Sequence, residues 1–161
     1  MKKTAGFTLI ELVIVIVILG ILGAVAAPRF LNLQGDAYGA NVKSLAASLQ
    51  SGATLSHTKA ILDGKDGETS TNVAGYSDVT FKFGFPQASK TNSGILGTLQ
   101  AMPSDTDYEI TTEGTSPDFT AVVLQPQARK QTGTIDKCFV KYTAAVDKDT
   151  PAKVEFNNDC D

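Results

Sequence analysis

The chain has 161 residues, of which 42% are hydrophobic, and its 14 basic and 17 acidic side chains give a net charge of −3. Beyond Pro28 there are 12 basic and 16 acidic side chains, with no clustered basic patch of the kind that binds nucleic acid. The length allows one membrane-sized segment and one further domain with a modest hydrophobic core.

The first predicted element is the apolar run 7–27. As a helix its 21 residues would span about 31 Å, the thickness of the hydrocarbon core of a bilayer. Two interpretations stay open. The length of the run fits a membrane anchor and exceeds the apolar core of a secretory signal, but Ala24–Ala26 has the small-x-small pattern of a signal cleavage site. Lys2 and Lys3 precede the run, and the positive-inside rule predicts that the rest of the chain faces outward.

Glu11 is the only charged residue between Thr4 and Pro28. A carboxylate costs about 2.5–3.5 kcal/mol at the centre of a bilayer and less near its edges, so one in such a run usually has a partner. The run contains no cation. Cleavage of the chain just before Phe7 would create an amino terminus that could pair with Glu11.

The heptapeptide GFTLIEL at residues 6–12, followed by the long Val/Ile/Leu run, resembles the prepilin signature of type IV pilins and the related pseudopilins. The resemblance implies that prepilin peptidase cuts after Gly6 and that Phe7 is then N-methylated. It also implies that Glu11 neutralises the terminal amine of a neighbouring subunit during assembly.

The same resemblance implies an α+β fold, the type IV pilin fold, in which a long N-terminal helix packs on a C-terminal antiparallel sheet. Residues 1–6 would be the leader, residues 7–28 the transmembrane and polymerisation helix, and residues 29–161 the exported domain. The implied partners are copies of the chain in a helical filament, prepilin peptidase, a pilus assembly ATPase and a membrane platform. The precursor would lie in the inner membrane and the filament on the cell surface.

Pro28 lacks a backbone donor and crowds the preceding turn, so it predicts a kink or a local opening of the helix. Gly20 and Gly23, just upstream, are weak helix formers. A simple kink and a segment from Gly20 to Pro28 that melts on assembly, as the family resemblance implies, both fit this pattern.

From Arg29 to about Leu62 the spacing of apolar residues predicts a helix with one stripe facing a sheet. The stripe consists of Leu31, Tyr38, Val42, Leu45, Leu49 and Ala53. Small or polar residues on the other faces predict close contact with neighbouring subunits, the alternative being solvated surface. They are Gly35, Gly39, Ser44, Ala47, Ser48 and Ser51.

His57 is the only histidine, and its isolation predicts a surface or partly packed side chain without a metal. No catalytic triad, Cys/His pair or glycine-rich phosphate loop is recognisable, which predicts that the chain is not an enzyme and has no cofactor. The segment 63–78 is rich in Gly, Asp, Ser, Thr and Asn and is predicted to be a loop. Its acidic part, 63–68, does not have the spacing of a calcium loop.

The remaining pattern predicts an antiparallel sheet of short strands. Val79–Phe83 alternates as a strand that is stopped by Gly84–Pro86, and Asn92–Met102 is predicted to form a short helix. Four further strands are predicted, separated by turns at 114–117 and 131–133. These strands are Tyr108–Thr112, Phe119–Leu124, Cys138–Ala144 and Lys153–Phe156.

In the second of these four strands, Phe119, Ala121 and Val123 are predicted to share one face, with Val122 and Leu124 on the other. Apolar residues on both faces predict a central strand that is covered on each side.

Cys138 and Cys160 are the only cysteines and lie 22 positions apart. In an exported domain they are predicted to form a structural disulfide, because a redox pair is usually spaced as Cys-x-x-Cys.

Scattered phrases resemble the branch of the family that forms mannose-sensitive haemagglutinin (MSHA) pili, which implies a major pilin serving attachment and possible motility. The alternatives are a type II secretion pseudopilin, a minor pilin and a membrane-anchored enzyme. The loop 63–78 matches no part of that branch. The matching phrases are Ala27–Leu33, Gly84–Pro86, Gly94–Ile95, Cys138–Ala145 and Asp159–Cys160.

Overall fold

The computed structural model describes residues 6–101, 103–116 and 118–161, without the side chains of residues 31 and 32. One helix, α1 (Leu9–Leu62), precedes all of the strands in these ranges, and its 54 residues would extend about 80 Å. Two antiparallel sheets follow it. The predicted α+β class, a long N-terminal helix on antiparallel β-structure, is confirmed.

Helix α1 continues through Pro28, which lies inside it, so the single chain is helical there, and the predictions of a kink and of melting on assembly stay predictions. A proline removes one backbone hydrogen bond, and the turns on both sides can carry the helix across that gap. The predicted leader lies outside the described residues apart from Gly6, as do Lys2 and Lys3.

The upper half of α1 packs on the sheets through the predicted stripe. Val42, Leu49 and Ala53 are buried, while Tyr38 and Leu45 are partly buried against the same core. The stripe is therefore confirmed for these five residues, and the side chain of the sixth, residue 31, lies outside the described part. Burial of large apolar side chains along one face of a helix is the main favourable term that holds it to a sheet.

The first sheet has three strands, β1 (Thr71–Val73), β2 (Tyr76–Lys82) and β3 (Phe85–Pro86), in that order. The prediction of a loop over 63–78 is therefore wrong at its C-terminal end. Strand β1 is an edge strand that pairs on one side with β2, and of its three residues only Val73 is apolar and buried. A short edge strand needs no apolar alternation, so the composition of this segment concealed it.

Strand β2 was predicted correctly in place, but Gly84–Pro86 does not simply stop it. The chain turns at Phe83 and Gly84, whose φ angles of 51° and 76° are both positive, and Pro86 then pairs with β2 as part of β3. A two-residue turn with positive φ at both positions fits the right-handed twist of a hairpin. The predicted helix over 92–102 is reduced to one 3₁₀ turn at Ile95–Thr98.

The second sheet has four strands in sequential order, and a further 3₁₀ turn at Gln127–Arg129 follows its second strand. All four predicted strands are confirmed, with ends that differ from the prediction by at most three residues. They are β4 (Tyr108–Thr115), β5 (Asp118–Pro126), β6 (Phe139–Thr143) and β7 (Lys153–Asn157).

Strand β5 is an interior strand, and residues 121–126 are all buried, which confirms the prediction of a strand covered on both faces. Phe119, however, packs against the same core as Val122 and Leu124, and not on the face of Ala121 as predicted. The register with β4 shifts between Glu113 and Gly114, and such a bulge moves the preceding side chain to the other face.

One buried hydrogen bond joins the two sheets. The hydroxyl of Tyr142 in β6 donates to the backbone oxygen of Pro86 in β3 at 2.6 Å, and the Tyr142 side chain is fully buried. Burial places the pKa of this phenol far above its usual range, so the hydroxyl remains a donor. The upper half of α1 packs on both sheets through two clusters: a large one against the second sheet, and a small one in which Ala60 meets Val73, Val79 and Phe81 of the first sheet.

Candidate functional site

The lower part of α1, residues 9–34, is hereafter the rod. Every described side chain of the rod is exposed, and its most apolar 18-residue window has a mean hydropathy of 3.0 with none of the window buried. By length and composition the helix could cross a membrane, a test that a signal sequence near the N-terminus also passes. An exposed apolar surface of this extent marks a site of contact with protein or lipid.

Helix α1 begins with a capping box. Thr8, the N-cap residue, donates from its backbone N–H and from its hydroxyl to Oε2 of Glu11, at 2.8 and 2.7 Å. The backbone N–H of Glu11 donates in return to Oγ1 of Thr8 at 3.4 Å. Glu11 therefore has a second role that sequence reasoning missed, although Thr8-x-x-Glu11 is the standard pattern of such a cap.

Gly6 and Phe7 precede α1, and both are exposed. The Phe7 side chain is 85% exposed and so contributes nothing to the fold of the single chain. Its backbone lies within four residues of the Glu11 carboxylate. The structure thus places the predicted cleavage site and the predicted assembly carboxylate at the same free end of the rod.

Gly20 has open space around it: a Cβ added there would meet nothing within 4 Å, and the same holds for Gly23. Neither glycine is therefore required by packing inside the single chain. Pro28 lies in the same exposed stretch of the helix. The structure holds this predicted melting segment as regular helix.

The predicted small face of the helix divides into two parts. Ser44, Ala47, Ser48 and Ser51 are exposed, and the hydroxyl of Ser48 donates to the backbone oxygen of Ser44 at 3.0 Å. The glycines at positions 35 and 39 are instead buried beneath the chain's own residues 158–161. The prediction of contact with neighbouring subunits is therefore wrong for the two glycines and stays a prediction for the serines and Ala47.

Cys138 and Cys160 form the predicted disulfide, with Cα atoms 4.6 Å apart, and both residues are buried. Beside it, Nζ of Lys137 lies 2.6 Å from Oδ2 of Asp159. This hydrogen bond lowers the pKa of Asp159 and raises that of Lys137, because each charge stabilises the other. The disulfide and the ion pair hold the C-terminal end to the start of β6.

His57 is partly buried, as predicted. Its ring stacks on Phe85 with centroids 3.8 Å apart, and its Nδ1 lies 3.0 Å from the backbone oxygen of Gly84. Within the described ranges no group of three His, Cys, Asp or Glu side chains could hold a metal ion. The histidine is thus a packing residue of the β2–β3 turn.

Comparison with known proteins matches residues 1–27 to the prokaryotic N-terminal methylation motif. The type IV narrow pilus major component PilA5 of Thermus thermophilus is 50% identical over 58 residues, which are 36% of this chain and 50% of PilA5. This match thus spans only half the length of that relative. A fimbrial protein of Moraxella nonliquefaciens is 30% identical over 135 residues, 83% of each chain. No solved structure matches the chain.

An exposed apolar rod with a methylation motif, joined to a disulfide-closed sheet domain, defines a fimbrial class of protein. The chain belongs to the type IV pilin family. Members of this family are structural subunits, so the prediction that the chain is not an enzyme is confirmed.

Proposed function

We propose that this chain is the major subunit of a type IV pilus. The observation that carries the proposal is the rod, whose described apolar side chains are all exposed in the single chain. Apolar surface gains about 25 cal/mol for each Å² removed from water, so a bare rod of this length requires lipid or other rods around it. The printed name of PilA5, a major pilus component, supports the same role.

Assembly moves the rod between two apolar surroundings. Before assembly the segment 7–28 lies in the inner membrane, with the sheet domain facing outward. During assembly it leaves lipid and enters a bundle of identical rods, driven by an assembly ATPase on a membrane platform. Because the rod stays out of water at both stages, the transfer itself has a small free-energy change.

The leader 1–6 is removed by prepilin peptidase between Gly6 and Phe7, and Phe7 is then N-methylated. The new amine carries a positive charge and pairs with Glu11 of a neighbouring copy. In the single chain both hydrogen bonds from Thr8 go to Oε2 of Glu11, so its other oxygen can accept the amine without breaking the cap. An unpaired carboxylate inside a bundle is costly, and this cost sets the register between copies.

The segment from Gly20 to Pro28 supplies the extension of the filament. Two glycines without packing partners and a proline without a backbone donor weaken this part of α1 more than any other. It therefore melts first when the bundle is stretched or when rods crowd together.

The filament serves attachment and motility, in the manner of the MSHA branch that the C-terminal half resembles. The disulfide, and a segment 63–68 without the spacing of a calcium loop, support a pilus subunit over a type II secretion pseudopilin. The partners are copies of the chain, the peptidase, the ATPase and its platform, with no nucleic acid.

The test is electron microscopy and N-terminal sequencing of material sheared from producing cells. We expect thin filaments made of this chain, beginning at a methylated residue 7. A Gly6→Glu variant should keep the leader and form none, whereas Gly67→Ala, in an exposed loop with open space around it, serves as the control. Sheared filaments of this chain that still begin at Met1 would exclude the proposal.

A further inference from the structure

The second sheet packs on α1 through one face, which carries Leu124 and Val140. On the opposite face, hereafter the outer face, Val123, Lys141 and Glu155 form one row, because they are paired in register across β5, β6 and β7. A cleft of about 860 Å³ lies over this row, and all three residues line it. Ligand sites have volumes of about 300–1,000 Å³, so the cleft has room for a bound group.

The most buried part of the lining is apolar. Val123 is 4% exposed, and Phe139 and Ile135 are partly buried. Ile135 belongs to the loop 133–136, which lines the cleft together with the sheet. Apolar surface gains free energy when an alkyl chain covers it, so this part of the cleft favours the stem of a ligand.

The charged part of the lining has an excess of carboxylates. Among the described residues, Glu113, Asp136 and Glu155 line the cleft together with one cation, Lys141. Nζ of Lys141 is bonded to both oxygens of Glu113, at 2.8 and 2.7 Å, so its charge is already matched. Glu155 bonds at 2.6 Å to Lys153, outside the lining, in an exposed pair of the kind that contributes little. The cleft is therefore complementary to a cation.

A buried amide lies on the same face of β5. Gln125 is two residues from Val123, so both side chains belong to the outer face. Gln125 is 2% exposed, and its Nε2 has no hydrogen-bond partner among the described residues. A buried donor without an acceptor is costly, so this part of the outer face favours a ligand that brings an oxygen acceptor as well as a cation.

The cleft reaches the free edge of the second sheet. In the described part of the chain β7 pairs with β6 on one side only, and Glu155 and Asn157 of β7 line the cleft. An edge strand presents unpaired backbone groups with which an extended peptide can pair. On the other face of β7, Phe156 is 46% exposed and offers a contact to an apolar residue of that peptide.

We propose that the cleft is a docking site for a lysine or arginine side chain on an extended segment of a partner protein. The alkyl stem of that side chain lies on Val123 and Phe139, and its cation lies between Asp136 and Glu155. The backbone of the segment supplies oxygen acceptors and pairs with the free edge of β7. Because none of these residues belongs to the rod, the site goes beyond the proposed filament function.

The test is a titration of isotope-labelled full-length protein in a nonionic detergent, followed by nuclear magnetic resonance. The probe is a capped pentapeptide with a central lysine between alternating valines and threonines. Two matched probes are the same peptide with norleucine at its centre, which lacks only the charge, and n-butylamine, which lacks the backbone. We expect saturable shifts of the amide signals of Val123 and Lys141 with the lysine peptide and roughly tenfold weaker binding of the other two.

Variants assign the charge. Glu155→Gln should weaken binding of the lysine peptide several-fold, whereas Glu68→Gln, the same change in an exposed loop, should leave it unchanged. The unshifted amide signal of Gly114, in the β4–β5 turn, shows that each variant keeps the fold of the second sheet.

Equal affinities for the lysine and norleucine peptides, or an unchanged affinity in folded Glu155→Gln, would overturn the recognition of a cation. Equal binding of n-butylamine and the lysine peptide would overturn the assignment of a protein segment as the partner. These measurements use unassembled protein, so their failure leaves the proposed pilus function untouched.

Discussion

The rod and the sheet domain differ in whether the chain itself buries their apolar side chains. In the sheet domain Leu124 and Tyr142 are fully buried by the chain itself, whereas in the rod Leu22 is 60% exposed. The chain's own residues do not bury the apolar side chains of this projecting helix. An exposed apolar surface of this size is typical of a site that contacts lipid or another protein. The comparison teaches that the two halves of α1 differ in their partners. The upper half packs on the sheets of its own chain, whereas the described side chains of the rod are left exposed.

The two regions also use charge differently. The sheet domain carries ion pairs such as Lys141–Glu113, at 2.7 Å and on the surface, where each contributes little. The rod has a single carboxylate, Glu11, whose described bonds are to Thr8. Inside an apolar bundle, the charge of the Glu11 carboxylate would change the stability of the assembly far more than a surface ion pair changes the stability of the sheet domain.

The largest expected effect is on filament assembly, through Glu11. Glu11→Gln keeps an acceptor for the capping box but has no charge, while Glu11→Ala loses both. We expect both variants to be exported and folded yet to yield few or no sheared filaments. Glu68→Ala, in an exposed loop, is the control.

Filament yield by electron microscopy and export by immunoblot of membranes separate the two roles of Glu11. If Glu11→Gln assembles as the wild type does, the carboxylate acts as a helix cap and not as a charge partner.

Matched leucines compare core and rod directly. Leu124→Ala leaves a cavity in the core and should lower the free energy of unfolding by about 2–5 kcal/mol. Leu22→Ala in the rod should change it by less than about 0.5 kcal/mol, as an exposed site does. Denaturant unfolding of full-length protein in detergent, followed by near-ultraviolet circular dichroism, measures both. Equal losses would mean that the rod belongs to the fold of the single chain.

The disulfide should matter to the sheet domain and not to the rod. It closes 22 positions of sequence, and its removal in Cys138→Ser should lower the free energy of unfolding by about 3 kcal/mol. We also expect less stable subunit in cells. Unchanged thermal stability and abundance under non-reducing conditions would show that the bridge is dispensable.

The smallest expected effect is that of pH. Hydrogen bonds from lysines hold the pKa of four surface carboxyls below the usual range, so each group favours the folded state above its unfolded pKa. As the pH falls below about 4, this stabilisation should fade. Lys137→Met should flatten the decline of the melting temperature between pH 5 and pH 2, since Asp159 then loses its partner. An unchanged slope would show that this pair contributes nothing. The four carboxyls belong to Asp63, Glu109, Glu155 and Asp159.

Sequence reasoning found the features that depend on local pattern. Helical spacing identified the stripe at Val42 and Leu49, and alternation located the strands of the second sheet. The Cys138–Cys160 bridge followed from the number of cysteines and the outward orientation of the domain. Each of these rests on a signal within a few residues or on simple counting.

The features it missed depend on contacts between distant parts of the chain. Strand β1 has only three residues, so the strand preference of Thr71 and Val73 was too short a signal to separate it from the polar loop before it. The bulge at Thr120 in β5, opposite the step from Glu113 to Gly114, reversed the facing of Phe119. The covering of Gly39 by Asn158 joins residues more than a hundred positions apart, so a helix pattern alone could not separate it from an open face.

Helical reconstruction of the sheared filament by electron cryomicroscopy tests the central claim, that copies of the rod bury each other. The account predicts a core made of residues 9–34, with the amine of Phe7 within about 4 Å of the Glu11 carboxylate of a neighbouring copy. A filament joined only through the sheet domains, with the rods lying outside the contacts between copies, would contradict it.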